Sequence, residues 1–154
     1  MRRLSRPVLI VLILAGLAVF LVVSTILARV FSVDGAERAA IVSLVQAEAR
    51  GDQAGMTRQL YRCSSAACRA RVAYDAAHLR EAGKVEVAEI NPSAGFAFVS
   101  TIGTARIAWF AQDPKPVVQC FRVRRAGNAL TGFTIRLLSV SKRITSDADC
   151  PKRF

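Results

Sequence analysis

An unbroken apolar run from Pro7 to Ala28 limits what this chain can fold into more than any other feature. It holds 22 residues without an ionisable side chain. As a helix it would span roughly 33 Å, against ~30 Å for the hydrocarbon core of a bilayer. Three arginines precede the run, Arg2, Arg3 and Arg6, whereas only Arg29 follows it closely. Positive charge therefore lies mainly on its N-terminal side. The positive-inside rule therefore predicts a cytoplasmic N-terminus, with the rest of the chain outside.

The chain thus divides into three predicted parts: a cytoplasmic N-terminus at 1–6, a transmembrane signal-anchor at 7–30 and an extracytoplasmic domain at 31–154. This organisation predicts a single-pass protein of the plasma membrane. A cleaved signal peptide is the alternative, but its apolar region is only about 7–15 residues long, and no Ala-x-Ala site follows the run here. The 18 arginines against 4 lysines, with many alanines, suggest a GC-rich bacterial genome.

All four cysteines lie in the part predicted to be outside: Cys63, Cys68, Cys120 and Cys150. An even number of cysteines in an oxidising compartment indicates two disulfides, for which three connectivities exist. We favour the pairs 63–68 and 120–150. The first pair requires the backbone to turn at Ser64-Ser65, because residues five apart on one helix lie about 140° apart around its axis. The second pair would attach the C-terminal tail to a strand. The spacings fit no zinc site.

Hydrophobic periodicity changes from helical to alternating at Gly83. Before this residue the pattern predicts three helices, which begin near Asp34, Asp52 and Ser65. After it the pattern predicts strands, the last two forming a hairpin between Val117–Arg125 and Leu130–Ser141. Helices followed by a strand meander indicate an α+β fold, in which two to three helices pack on one face of a curved antiparallel sheet.

The sequence Glu-Ala-Arg-Gly-Asp at 48–52 ends the first predicted helix of the domain, and Leu60-Tyr61 follows the second. With the order of helices and strands over about residues 34–141, these residues resemble the nuclear transport factor 2-like (cystatin-like) superfamily. An anchor joined to such a domain is also similar to actinobacterial Mce-associated membrane proteins and to bitopic assembly factors of type IV secretion. The superfamily includes isomerases, dehydratases, binding modules and scaffolds, so the resemblance implies a fold more than a function.

Residue patterns that support catalysis are sparse. The phosphate-loop, dinucleotide, nucleophile-elbow and zinc-protease signatures are absent from the sequence. His78 is the only histidine, and it lies three residues after Asp75 on the third predicted helix. The two could form an oriented acid–base pair, although an exposed histidine on the helix surface is the simpler interpretation. We therefore predict no catalytic residue, no cofactor and no metal site.

A cavity between the sheet and the helices is the feature that would favour the alternative, a small-molecule binder or an enzyme of the isomerase or dehydratase kind. Five aromatic residues could line it: Phe96, Phe98, Trp109, Phe121 and Phe133. Regular alternation around Phe121 and Phe133 is equally typical of a packed core. We expect core packing at these positions.

The predicted domain is basic, with 18 Lys+Arg and 11 Asp+Glu after residue 30, a net charge of +7. Four arginines are in phase on the sheet face that points away from the helices: Arg106, Arg122, Arg124 and Arg136. Cys120 shares this phase, so we expect the tail that carries Cys150 to lie across the same face. An electropositive face just outside a membrane suits an anionic lipid, an acidic envelope polymer or an acidic protein partner.

Nucleic acid is not an expected partner, because no aromatic platform interleaves with these arginines. A homodimer through the sheet faces stays open, although like charges would then meet across a two-fold axis. The sequence thus predicts a membrane-anchored, extracytoplasmic binding or scaffold module of the bacterial cell envelope, without enzymatic activity.

Overall fold

The computed structural model describes residues 6–93, 99–128, 130–145, 148–152 and 154. Within these residues lie three helices and four strands, in the order α1 Arg6–Ala49, α2 Gln53–Gln59, α3 Ala66–His78, β1 Glu86–Asn91, β2 Val99–Phe110, β3 Val117–Asn128 and β4 Gly132–Val140. The predicted α+β class and the change from helices to strands near Gly83 are confirmed.

Helix α1 is continuous over 44 residues. Within the described part of the chain it is the one helix long and apolar enough to cross a membrane, and its most apolar stretch is 0% buried. The predicted helix start at Asp34 is wrong, because α1 runs through Asp34 and Gly35 without a break. The Asp34 side chain does not cap a helix but accepts a hydrogen bond from Arg125 of β3.

The two shorter helices begin where the sequence predicts, because a side chain caps each one. Asp52 accepts a hydrogen bond from the amide three residues further on, at 2.8 Å. Ser65 accepts one from the amide of Cys68 at 3.1 Å. Between the two helices the chain turns through Arg62, whose φ of 56° lies in the left-handed region. The turn brings Cys63 and Cys68 into a disulfide with a Cα–Cα distance of 5.5 Å.

The four strands form an antiparallel sheet in the order β1-β2-β3-β4. The predicted hairpin exists, but β3 continues to Asn128 because Ala126 and Gly127 still pair with β4. The C-terminal part of α1 packs on one face of the sheet, and α2 and α3 complete the helical layer. Large side chains from both layers form the core: Ile41, Leu44, Met56, Val72, Ile107, Trp109, Phe121 and Leu137.

A buried ion pair fixes α1 to the sheet just beyond the apolar run. Arg125 is 4% exposed and donates to Glu37 at 2.8 Å and to Asp34 at 2.6 Å. Glu37 also accepts hydrogen bonds from the amide and the hydroxyl of Ser93, at 2.7 and 2.8 Å. The charge of Arg125 is thus matched by carboxylates, as a charge buried between a helix and a sheet requires.

Candidate functional site

The outer sheet face, meaning the face turned away from the helices, carries a group of arginines. Arg122 and Arg124 are exposed, whereas their neighbours Phe121 and Val123 are fully buried against the helices. Arg136 of β4 lies directly opposite Arg124 in the register of the two strands. Directly opposite residues of an antiparallel pair share a face, so the structure brings these three predicted site residues together.

Arg106, the fourth predicted residue, lies opposite Cys120 on the same face. Its side chain is only 20% exposed and forms an ion pair with Glu89 of β1 at 3.6 Å. Arg106 therefore belongs to the outer sheet face by position, but Glu89 already balances its charge. The uncompensated positive charge of the face comes from the other three arginines.

Arg124 and Arg136 form a cross-strand pair of like charges. Across the described ranges, no carboxylate forms an ion pair with Arg122, Arg124 or Arg136. Like charges directly opposite each other destabilise an antiparallel sheet. Among the described residues, several cations thus lie close together without a carboxylate partner, which favours a positive potential over this face.

Tyr61 adds an aromatic ring beside these cations. The guanidinium carbon of Arg136 lies 4.4 Å from the ring centroid, and that of Arg62 lies 5.1 Å from it. The amide of Tyr61 donates to the carbonyl of Leu137 at 2.7 Å, which fixes the ring at the edge of β4. Cation–π contacts at exposed sites contribute about 0.5–1 kcal/mol each and orient both guanidinium groups. We call Arg62, Arg122, Arg124 and Arg136, with Tyr61, the arginine cluster.

Tyr61 and Arg62 are not among the site residues that the sequence predicts, although both lie beside the short disulfide loop. The left-handed backbone of Arg62, which is unusual for a residue other than glycine, has no signature in the sequence. The one sequence feature that indicates a fixed position for Tyr61-Arg62 is their proximity to Cys63, because a disulfide loop of five residues restricts the orientation of the adjacent side chains.

The second disulfide joins Cys120, fully buried on β3, to Cys150, with a Cα–Cα distance of 5.8 Å. After β4 the chain continues beside β3, where Ile144 donates to the carbonyl of Val118 at 2.8 Å. The bridge therefore attaches the C-terminal tail to the strand that carries Arg122 and Arg124, as the favoured pairing predicts.

A groove of about 570 Å³ opens beside β4, which we call the β4 groove. Its walls are the first turns of α3, the segment 138–142 at and just after the end of β4, and the tail residues Pro151 and Phe154. The lining is mainly apolar, and Arg71 and Lys142 supply two cationic groups. This groove is distinct from the predicted aromatic cavity, because Trp109 and Phe121 are 0% exposed and packed in the core. Phe133 is half-buried, and Phe96 and Phe98 lie outside the described residues.

A buried hydrogen-bond network connects α1 to the sheet, and a second buried carboxyl group lies on α3. The side chain of Gln119 donates to Glu48 at 2.8 Å and accepts from the indole of Trp109 at 3.0 Å. Asp75 of α3 is also 0% exposed and lies 3.5 Å from the guanidinium of Arg71. The sequence pattern does not predict this network, although Glu48 lies on the same helical stripe as the buried residues of α1.

Burial dominates the protonation of both carboxyl groups. Loss of hydration raises the pKa of Glu48 to about 8, although the Gln119 hydrogen bond opposes the shift and the charge of Asp75 adds to it. Burial likewise raises the pKa of Asp75 to about 6, against the opposing charge of Arg71. Glu48 is thus mainly protonated at neutral pH. Because it is 0% exposed, a substrate cannot reach it without opening the core.

His78 does not form an oriented pair with Asp75 in the described structure. Its Nδ1 lies 2.8 Å from the carbonyl of Tyr74, and its ring stacks on Tyr74 with the centroids 4.0 Å apart. His78 is exposed, whereas Asp75 points into the core. Within the described residues, no group of three or more histidine, cysteine, aspartate or glutamate side chains could hold a metal ion.

Comparisons of the chain with models of protein families, with curated proteins and with solved structures gave no match.

Proposed function

We propose that this protein is a single-pass, non-enzymatic binding or scaffold module of the bacterial plasma membrane, which engages an anionic envelope partner through its arginine cluster. The observation that carries the proposal is the Arg124–Arg136 pair, which opposes two cations without an ion-pair partner in the described chain. An anion bound between these strands would remove the repulsion, so binding and local stability would increase together.

Two features support a location at the membrane with the domain outside. The apolar part of α1 leaves its side chains exposed, and a bilayer would cover them. Two disulfides in one small domain are typical of an oxidising compartment. Together with the arginines before the apolar run, they favour a cytoplasmic N-terminus and an extracytoplasmic C-terminal domain.

We also propose that the domain is a nuclear transport factor 2-like (cystatin-like) domain, similar to that of Mce-associated membrane proteins. The support is the order of elements: a helix that ends at Ala49, a short helix, a third helix and then a four-stranded antiparallel meander. Folds of this kind serve several functions, so the proposed function depends on the arginine cluster and not on the fold.

Photocrosslinking in native membranes tests the proposed function. Thr104 is exposed and lies opposite Arg122, so a photoreactive amino acid at this position reports on the outer sheet face. We expect a crosslinked adduct that disappears in the double variant Arg122→Glu/Arg124→Glu and at high salt. The matched control is Arg38→Glu/Arg50→Glu, which reverses two exposed charges on the helical side of the sheet and should leave the adduct unchanged.

The adduct itself separates the classes of partner. Digestion by protease indicates an acidic protein, extraction with organic solvent indicates a lipid, and resistance to both indicates an envelope polymer. A second copy of this chain would give a dimer band. An adduct that is equally strong in the charge-reversed variant and its control would contradict a role for the arginine cluster.

The β4 groove favours a second candidate function, the binding of a small amphipathic anion. Its volume of about 570 Å³, its apolar lining and the cation Lys142 fit such a ligand, whereas the charge of Arg71 is shared with Asp75. Native mass spectrometry of the full chain released from native membranes would detect a retained adduct. Ala67→Trp should fill the groove and remove the adduct, whereas Ala77→Trp, at an exposed position of the same helix, should not.

A further inference from the structure

The tip of the β3–β4 hairpin reaches back along the apolar run of α1. The guanidinium group of Arg29 donates a hydrogen bond to the carbonyl of Leu130, at the turn between the two strands. A shallow cavity of about 310 Å³ separates Leu130 from α1, and the helix residues that line it extend from Leu21 to Arg29. Leu130 therefore lies beside the end of the segment that is long and apolar enough to cross a membrane.

Two large apolar side chains at this end of the sheet are exposed. Leu130 is 73% exposed, more than any other large hydrophobic residue of the described chain, and Val99 is 64% exposed. Val99 lies opposite Asn128, which places it at the same end of the sheet as the turn. Isolated exposed leucines are ordinary, but neighbouring apolar side chains that continue an apolar helix surface indicate a contact with another apolar phase.

Three backbone groups of the described turn residues are already paired, which suits an environment poor in water. Asn128 Oδ1 accepts hydrogen bonds from the amides of Leu130 and Thr131, at 2.9 and 2.8 Å. The Leu130 carbonyl is already taken by Arg29. Irregular backbone enters an apolar phase only when its polar groups are paired internally, because each unpaired group there costs several kcal/mol.

We infer that this hairpin tip is a second membrane contact, which inserts Leu130 and Val99 into the interface of the outer leaflet while Arg29 lies at the level of the lipid phosphates. The phase that covers the apolar side chains of the tip is the bilayer that α1 crosses, because the tip is continuous with the exposed apolar surface of that helix. A long arginine side chain at the end of a membrane helix extends to the headgroups in the same way. The inference rests on the membrane anchoring that we proposed above.

Depth-dependent fluorescence quenching by brominated lipids tests this inference on the full chain in vesicles. Trp109 is the only tryptophan and is fully buried. It lies at the far end of the sheet from Asn128, about 36 Å away at ~3.3 Å per strand residue, and so provides a constant background. The informative variant is Leu130→Trp. Thr104→Trp is its matched control, because Thr104 is exposed on the outer sheet face, further along β2 from the hairpin tip. Phe20→Trp reports on the apolar run.

We expect bromines near the headgroup end of the acyl chains to reduce the added emission of Leu130→Trp roughly twofold, since interfacial insertion reaches ~5–10 Å into the boundary of the acyl chains. Thr104→Trp should keep its emission. Quenching of Phe20→Trp without quenching of Leu130→Trp would overturn the second contact and leave the anchor in place. If Phe20→Trp also keeps its emission, the anchor itself is refuted, and the second contact with it.

Discussion

The guanidinium Nε of Arg125 lies 2.8 Å from Oε2 of Glu37, and both side chains are almost fully withdrawn from solvent. This contact joins a strand to the part of α1 that follows the apolar run. A buried charge that loses its partner is strongly destabilising, because nothing else then compensates its lost hydration. The position of the sheet against the helix therefore depends on a few polar atoms as well as on the apolar core.

Glu37→Ala should reduce the free energy of unfolding by about 3–5 kcal/mol, because it removes the buried carboxylate that pairs with Arg125 and leaves only the half-exposed Asp34. Urea unfolding of the full chain in detergent micelles, followed by circular dichroism, measures this effect. Asp34→Ala is the matched control: the Asp34 side chain is 55% exposed, so we expect a loss below about 1 kcal/mol. Equal losses in the two variants would contradict the importance of burial.

The buried carboxyl groups predict that stability falls as the pH rises. The pKa of Glu48 increases from 4.5 to about 8 on folding, and that of Asp75 from 3.8 to about 6. The folded state therefore holds these two protons more tightly, so the contribution of Glu48 and Asp75 to the free energy of unfolding should be highest below pH ~4 and decrease up to pH ~8. The decrease should amount to a few kcal/mol, since one pKa unit corresponds to about 1.4 kcal/mol.

Glu48→Gln keeps an oxygen for the Gln119 hydrogen bond and removes the titration. Its free energy of unfolding should depend less on pH than that of the wild type, and above pH ~8 the variant should be the more stable of the two. Urea titrations at several pH values between 4 and 9 give the comparison. A wild-type stability that rises over this range would contradict the prediction.

The two disulfides should contribute unequally to stability. Cys120–Cys150 closes a loop of 30 residues and Cys63–Cys68 a loop of 5. In the chain-entropy relation these loops correspond to about 3.6 and 2 kcal/mol. Replacing both cysteines of the longer bridge by alanine should therefore lower the urea midpoint further than the same change in the shorter bridge. The reverse order would indicate that the short loop has a larger role in the native state, for example in positioning Arg62.

Arg124→Gln should stabilise the isolated protein while it weakens partner binding. Removing one charge of the Arg124–Arg136 pair relieves a cross-strand repulsion. We therefore expect the free energy of unfolding to increase by about 0.5 kcal/mol at low salt. The gain should disappear at high ionic strength, where exposed charges are screened. Thermal unfolding at two salt concentrations measures it. Arg50→Gln, at an exposed position directly after α1, should change neither stability nor binding.

Local signals in the sequence were sufficient for much of the fold. Asp52 and Ser65 cap their helices because capping depends on a few consecutive residues. Strand phase correctly separated Arg122 and Arg124 from Phe121 and Val123, since alternation is a local property of a strand. The start at Asp34 failed because a capping pattern competes with helix continuation, and here the Arg125 contact leaves Asp34 inside the helix.

The parts of the site that sequence analysis missed depend on contacts between distant segments. Glu48 and Gln119 are 71 positions apart, and neither residue type suggests burial by itself. Strand alternation places Arg125 on the same face as Val123, toward the helices. Only the tertiary structure shows that Glu37 accepts its hydrogen bond there. The contact between the Tyr61 ring and Arg136 likewise depends on tertiary structure, because it forms where the chain before the disulfide loop packs against the edge of β4.

The unbroken course of α1 has a mechanical consequence. A domain on a flexible linker rotates and searches a volume, whereas a domain built on a continuous helix inherits the tilt of that helix. Glu48 lies 20 residues beyond Ala28, which puts it about 30 Å along the axis from the end of the apolar run. Under the proposed anchoring, the arginines of the outer sheet face travel in the membrane plane at a fixed height. A partner must present its negative charge at that height, and any force it exerts on the domain passes directly into the membrane helix.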